Sequence, residues 1–241
     1  MTSIAGRSVE ALGGPGSIIV RQRREHQRLD DLARQVRATA GDERDEALTR
    51  LCRLVFPHAF AEEAVLFPIA RKRLHAGEVL SLEIEQEHQE INEVYAAVER
   101  SRRGDPGRDA LIERALALLD ADVREEEDEL LPRLRAVMDD AELRRLGWTW
   151  ELVRRVAPTR AHPVVSRRPP GQTLSALPLT VLDRCRDALD RVARRAPAPV
   201  ATAGSAASRA LGMVAGVVER LPPFLHGEDP STHTPHTGAE H

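Results

Sequence analysis

His58 stands four residues before Glu62 in the segment HAFAEEAVLFP, residues 58–68. A near-echo, DVREEEDELLP at 122–132, sets Asp122 four residues before Glu126. Aligned on the final proline, both segments carry a Glu-Glu pair at the same offset and an apolar residue just before the proline. Residues four apart on a helix share a face, so each pair can aim two donors at one point. An imidazole with a carboxylate, or two carboxylates so placed, suits a divalent or trivalent metal ion. The second copy offers oxygen where the first offers nitrogen.

The elements that must position these residues follow from apolar spacing. Steps of three and four mark four long helices, at about 17–38, 45–74, 78–102 and 108–138, and a shorter fifth at about 141–156. SRRGDPG is a clear break before the fourth. Short connections between long helices favour antiparallel neighbours, hence an all-α, up-down-up-down four-helix bundle. The buried seams read Ile19, Gln22, His26, Leu29, Ala33, Val36 in the first helix and Leu51, Val55, His58, Glu62, Val65, Ile69 in the second. They read Ile84, His88, Ile91, Tyr95, Val98 in the third, and Ile112, Ala115, Leu119, Asp122, Glu126, Leu130 in the fourth. Each seam is apolar except near its middle. An uncompensated buried charge costs several kcal/mol, so four such interruptions at comparable depth call for a common partner. A metal cluster between facing helices satisfies all of them together.

With His26 in REHQRL, His58 and Glu62 in HAFAEE, His88 in EQEHQEI and the carboxylate pair Asp122 and Glu126, residues 16 to about 140 resemble a hemerythrin-like (HHE cation-binding) domain. The resemblance implies a four-helix bundle around a non-haem di-iron centre. It makes His26, His58 and His88 terminal imidazole ligands, Glu62 a bridging carboxylate and Glu126 another. Two positions depart from the family pattern: Asn92 stands four residues after His88, where many relatives place a ligand, and Asp122 replaces the histidine of the fourth helix. The resulting set of three imidazoles and three carboxylates is rich in hard donors, which favours ferric iron and admits manganese more readily. That argues against a reversible oxygen carrier. Glu63 and Glu127 are candidates to orient ligating imidazoles. Glu85 is a candidate substitute for the ligand missing at Asn92, and Tyr95 reads as core that also borders the pocket.

The totals exclude several classes. The chain has 241 residues and a net charge of -3 at pH 7, which gives no argument for nucleic acid. Cys52 and Cys185 form neither a zinc spacing nor a disulfide framework. No stretch approaches the roughly 20 apolar residues of a membrane span, and the N-terminus lacks the apolar run of a secretion signal. The expected location is cytoplasmic.

The expected organisation is a flexible N-terminus at 1–16, the bundle at 17–156, a Pro/Arg-rich linker at 157–178, a helical extension at 179–225 and a disordered tail at 226–241. The linker reads as extended rather than packed. Both tryptophans of GWTWELV read as packing the fifth helix onto the bundle. The extension has apolar residues at helical spacing, consistent with packing, self-association or a protein partner; its modest basic excess and scarcity of aromatic anchors argue against a membrane surface. The functional expectation is a di-iron protein that binds or responds to a diatomic or peroxide ligand (oxygen, peroxide or nitric oxide) in a redox or stress context. Alternatives are a peroxidase- or oxidase-like di-iron enzyme, a metal-dependent sensor or adaptor acting through the extension, and a bundle that has lost its metal.

Overall fold

Ser17 starts the first helix: its Oγ accepts from the Val20 N–H at 3.2 Å and donates to the Leu12 carbonyl at 2.6 Å. In the computed structural model, which describes residues 3–225, this helix is α1 (Ile18–Ala38). The second rod is α2 (Gly41–Ala61), a π turn (Glu62–Leu66) and α3 (Phe67–Arg73). α4 (Gly77–Arg100) is the third. The fourth repeats the pattern of the second, with α5 (Arg108–Glu125), a π turn (Glu126–Leu130) and α6 (Leu131–Val137). Short connections fold each rod back on the one before it. α7 (Asp140–Arg155) opens with a reciprocal capping box between Asp139 and Glu142 and packs on α1 and α2.

Both π turns fall on the echoed segments, and Pro explains their place. Pro68 and Pro132 have no N–H to donate, and their rings would crowd the carbonyl four residues back. The residue before each proline instead bonds five residues back, Phe67 N–H to the Glu62 carbonyl and Leu131 N–H to the Glu126 carbonyl. Each π turn inserts a residue into the helical count. The seam of the second rod therefore shifts: Leu66, Phe67 and Ala70 are fully buried, whereas Ile69, expected on the seam, is only half-buried.

Glycine is required where backbones touch. A Cβ at Gly77 would overlap the Ala70 carbonyl oxygen where α3 turns into α4, and one at Gly147 would overlap the Gly16 carbonyl oxygen where α7 crosses the N-terminal segment.

The apolar core of the bundle is split in two, and a small third cluster of Val165, Leu179 and Ala215 lies with the C-terminal helices. One half gathers Ile18, Ile19, Leu66, Phe67, Ile84, Leu130, Leu134 and Trp150. The other gathers Leu29, Val36, Leu51, Val55, Ile91, Tyr95, Ile112 and Leu119. On every rod, the ionisable seam residue lies between the two halves.

Three expectations need correction. Ile4 and Leu12 are fully buried, and the Ile4 N–H donates to the Glu127 carbonyl at 3.1 Å, so the described part of the N-terminal segment is anchored. The stretch after α7 is packed rather than extended: Ala157 and Ser166 are buried, and its arginines find acids, Arg160 with Glu99, Asp187 and Asp190, and Arg168 with Glu78 and Glu85. Composition signalled an open linker; the acids that recruit it lie on other helices. Trp150 packs as expected, but Trp148 is exposed, with the Arg21 guanidinium 5.2 Å over its ring.

α8 (Gly171–Ala193) and α9 (Ala198–Val218) form a hairpin, followed by the short α10 (Pro222–Leu225). α8 starts ahead of the expected 179 because it continues through Pro178. α9 carries Pro199 in its first turn, where proline is tolerated. The expected tail, with His226, His233, His236 and His241, lies outside the described residues. Among the described residues, no helix is long and apolar enough to cross a membrane.

Candidate metal centre

The layer between the two apolar halves brings together all six residues singled out by spacing. His26 comes from α1, His58 from α2, His88 from α4 and Asp122 from α5, while Glu62 and Glu126 open the two π turns. All six are at most 4% exposed.

They form two donor groups with one shared member. His26, His58, Glu62 and Glu126 offer four donor atoms within 4.8 Å of one another; His88, Asp122 and Glu126 offer three within the same limit. In the first group His58 Nε2 lies 3.1 Å from Glu62 Oε1 and His26 Nε2 lies 3.1 Å from Glu126 Oε2, with the two Nε2 atoms 3.3 Å apart. In the second, His88 Nε2 lies 3.4 Å from Asp122 Oδ1 and 4.0 Å from Glu126 Oε1. The other oxygen of Glu62 is 3.7 Å from His88 Nε2, so Glu62 also reaches toward both groups.

The three imidazoles share one orientation. Each turns Nε2 inward and sets Nδ1 against an outer carboxylate: His26 on Glu127 at 2.9 Å, His58 on Glu25 at 3.2 Å and His88 on Glu63 at 3.0 Å. An imidazole whose Nδ1–H donates outward presents the Nε2 lone pair inward, the arrangement of metal-ligating histidines. Glu63 and Glu127 were expected in this role. Glu25 was not, because it falls off the three-four repeat, although its position next to His26 was a signal. The apolar wall is aromatic: Phe67 stacks on His88 at 5.7 Å, and Trp150 meets His58 edge-on at 5.5 Å.

Unpaired atoms converge on the centre. Glu62 Oε2, His88 Nε2, Asp122 Oδ1 and both carboxylate oxygens of Glu126 are buried without a hydrogen bond; the approach of His26 to Glu126 lacks hydrogen-bond geometry. Orphaned buried acceptors are rare and costly, and cations are what would satisfy them. With protons alone, the balance is strained in a telling direction. Burial, then the neighbouring charges of Glu62 and Asp122, push the Glu126 carboxyl up to about 8. Burial opposes a charge on His26, yet the adjacent carboxylates of Glu126 and Glu127 outweigh it and raise the imidazole to about 9. His58 and His88 are likewise raised well above the usual range, their carboxylate neighbours overcoming burial. The cluster draws positive charge inward. The residues present therefore fit a pair of metal ions.

Other candidates lie elsewhere. Glu85 does not reach the centre: Arg71 and Arg168 each hold one of its oxygens at 2.8 Å. Asn92 uses its amide locally, donating to the His88 carbonyl at 2.9 Å and accepting from the His162 N–H at 3.1 Å. Tyr95 sits in the apolar half, edge-on to Phe56 at 5.4 Å. Three further residues went unforeseen. Gln22 donates to Glu62 Oε1 at 2.6 Å; it stood on the seam but carried no ionisable signal. Gln172 donates to Glu63 Oε2 at 2.9 Å from α8, and Arg154 of α7 lies 3.3 Å from Glu25 Oε1.

Comparison with known proteins agrees with this geometry. The family model described as the hemerythrin HHE cation binding domain matches residues 17–134. An uncharacterised hemerythrin-like protein of Schizosaccharomyces pombe is 23% identical over 135 residues, covering 56% of this chain and 66% of that protein, just under two thirds of its length. No solved structure matches.

Proposed function

The segment from residue 17 to residue 134 belongs to the hemerythrin HHE cation-binding domain family, and on that premise we propose that this chain is a non-haem di-iron protein that binds or responds to oxygen, peroxide or nitric oxide. The observation that carries the reading is the pair of buried donor groups sharing Glu126, with unpaired acceptors facing inward. His26, His58, Glu62 and Glu126 would hold one ion, and His88, Asp122 and Glu126 the other, with Glu62 reaching toward both. Iron, when bound, supplies the redox couple to which such ligands respond.

The chain's own contribution is positional. Glu127, Glu25 and Glu63 fix the three imidazole tautomers, Gln22 holds one oxygen of Glu62, and the apolar halves on either side keep bulk water away. Three carboxylates against three imidazoles favour the ferric state and tolerate manganese, which supports response or turnover over reversible oxygen carriage. A sensing role through the C-terminal extension is a second reading, supported by the contact of Gln172 with Glu63. A protein partner or a second copy docked on 179–225 belongs to that reading, supported by the exposed side chains of Val181, Val192, Met213 and Val217.

The test is anaerobic loading with ferrous iron, followed by absorption spectra on adding oxygen, hydrogen peroxide or nitric oxide. A spectral change completed within one equivalent supports binding or response. Sustained consumption of hydrogen peroxide, abolished by Glu62→Ala, would make the protein an enzyme. Full iron occupancy with no spectral response to any of the three would overturn the ligand assignment.

A further inference from the structure

Gln172 lies in the first turn of α8, beyond the segment matched by the family, and is 1% exposed. Its Nε2 donates to Glu63 Oε2 at 2.9 Å, while Glu63 Oε1 lies 3.0 Å from His88 Nδ1. A single carboxylate thus separates α8 from the imidazole of His88. Arg167 brings a guanidinium nitrogen to 3.8 Å from the same Glu63 Oε1.

The neighbours of His88 on α4 are tied to the same stretch. Gln89 donates to the Pro163 carbonyl at 2.8 Å and accepts from Arg167 Nε at 3.0 Å. Asn92 accepts from the His162 N–H at 3.1 Å. Asn92, one turn after His88, thereby gives residues beyond the matched segment an attachment point on α4. The supports of the other two imidazoles are built differently. Glu127 belongs to the second π turn and Glu25 to α1, with Arg154 of α7 behind Glu25.

We propose that residues 162–172 form a strap that sets the geometry of the His88 donor group, with Gln172 as its positioning residue. Gln172 fixes Glu63, and Glu63 fixes the tautomer and ring angle of His88. The inference rests on the two-metal reading above. Loss of a carboxylate that hydrogen-bonds a ligating imidazole lowers metal affinity about 10- to 100-fold; Gln172 acts one bond further out, through Glu63, so its effect lies within that bound and is confined to the group of His88, Asp122 and Glu126. The coupling is reciprocal: a metal held by that group favours the docked strap.

The experiment is an anaerobic calorimetric titration of the full chain with ferrous iron, comparing wild type with Gln172→Leu, which keeps the bulk of the side chain and removes its donor. Wild type should show two binding events. In the variant one event should weaken several-fold, up to about tenfold, the other staying unchanged. A parallel readout needs no activity: ferrous iron should slow tryptic cleavage after Arg167 in wild type and lose that effect in the variant. Gln172→Asn, which withdraws the amide by one methylene, guards against misfolding of the first variant and should give the same selective loss. Equal weakening of both events, or no change in either, overturns the strap. Wild type that binds no iron removes the two-metal reading, and the strap with it.

Discussion

Glu126 stands between the two donor groups, one carboxylate oxygen 3.1 Å from His26 Nε2 and the other 4.0 Å from His88 Nε2. It is buried beside Glu62 and Asp122, which raise its carboxyl to about 8 after burial has already done so. Its position therefore costs stability in the metal-free fold, a cost offset only on binding. Glu126→Gln should melt higher than wild type at pH 7 in the presence of a chelator, because folding must protonate the buried carboxyl, raised to about 8, whereas a neutral amide needs no proton. The same variant should bind iron at neither group. A lower melting temperature in chelator would show that Glu126 serves the fold rather than the metal.

Asp122 belongs to one group only. Asp122→Ala should reduce bound iron from two ions to about one, with the first group intact. Metal analysis after gel filtration checks this. Retention of two ions would return Asp122 to the acidic run that begins just after it.

His162 supplies a pH dependence away from the centre. Burial opposes its charge, but Asp183 at 3.2 Å and Glu219 at 3.0 Å raise it to about 9. A histidine raised above its unfolded value of roughly 6.5 stabilises the fold fully below that pH, and the contribution fades as pH rises through about 9. The span corresponds to about 3 kcal/mol as an upper bound. The stability gap between wild type and His162→Gln, from denaturant unfolding, should be largest near pH 6 and shrink by pH 10. His26, His58 and His88 titrate in both proteins and cancel in the difference. A gap that does not vary with pH would contradict the ion-pair account.

Gly77 lies where α3 meets α4, and an added Cβ there would overlap the Ala70 carbonyl. Gly77→Ala forces one backbone to move, and overpacking of this kind costs about 1–3 kcal/mol. Chemical denaturation should show a midpoint lowered to match, with the slope unchanged. A neutral substitution would mean that the connection between the rods is soft.

Much of this layout is legible in the amino-acid sequence. Apolar steps of three and four separate the rods, and a seam interrupted at His26, His58, His88 and Asp122 marks the layer that divides the core. Glu62 and Glu126 were legible because a repeated proline aligned them. The same prolines concealed a shift in register: a π turn adds a residue that a 3.6-residue period cannot count, so Ile69 was placed on a seam that passes to Leu66 and Ala70. Glu25 escaped because it neighbours a seam residue instead of occupying the seam. Gln172 reaches Glu63 across 109 positions of sequence, and no local pattern encodes such a contact. The arginines at 160, 167 and 168 looked like a solvated linker because their acidic partners lie far away in the chain.

Two metal ions in the layer between the two apolar halves are the proposed cargo of the six donors. The most direct measurement of that cargo is iron per chain in untagged protein loaded anaerobically and freed of excess metal, beside Glu62→Ala treated alike. The proposed two-metal assignment predicts two ions per chain in wild type and a loss of both in the variant, since Glu62 reaches toward both groups. Fewer than one ion per wild-type chain would contradict it.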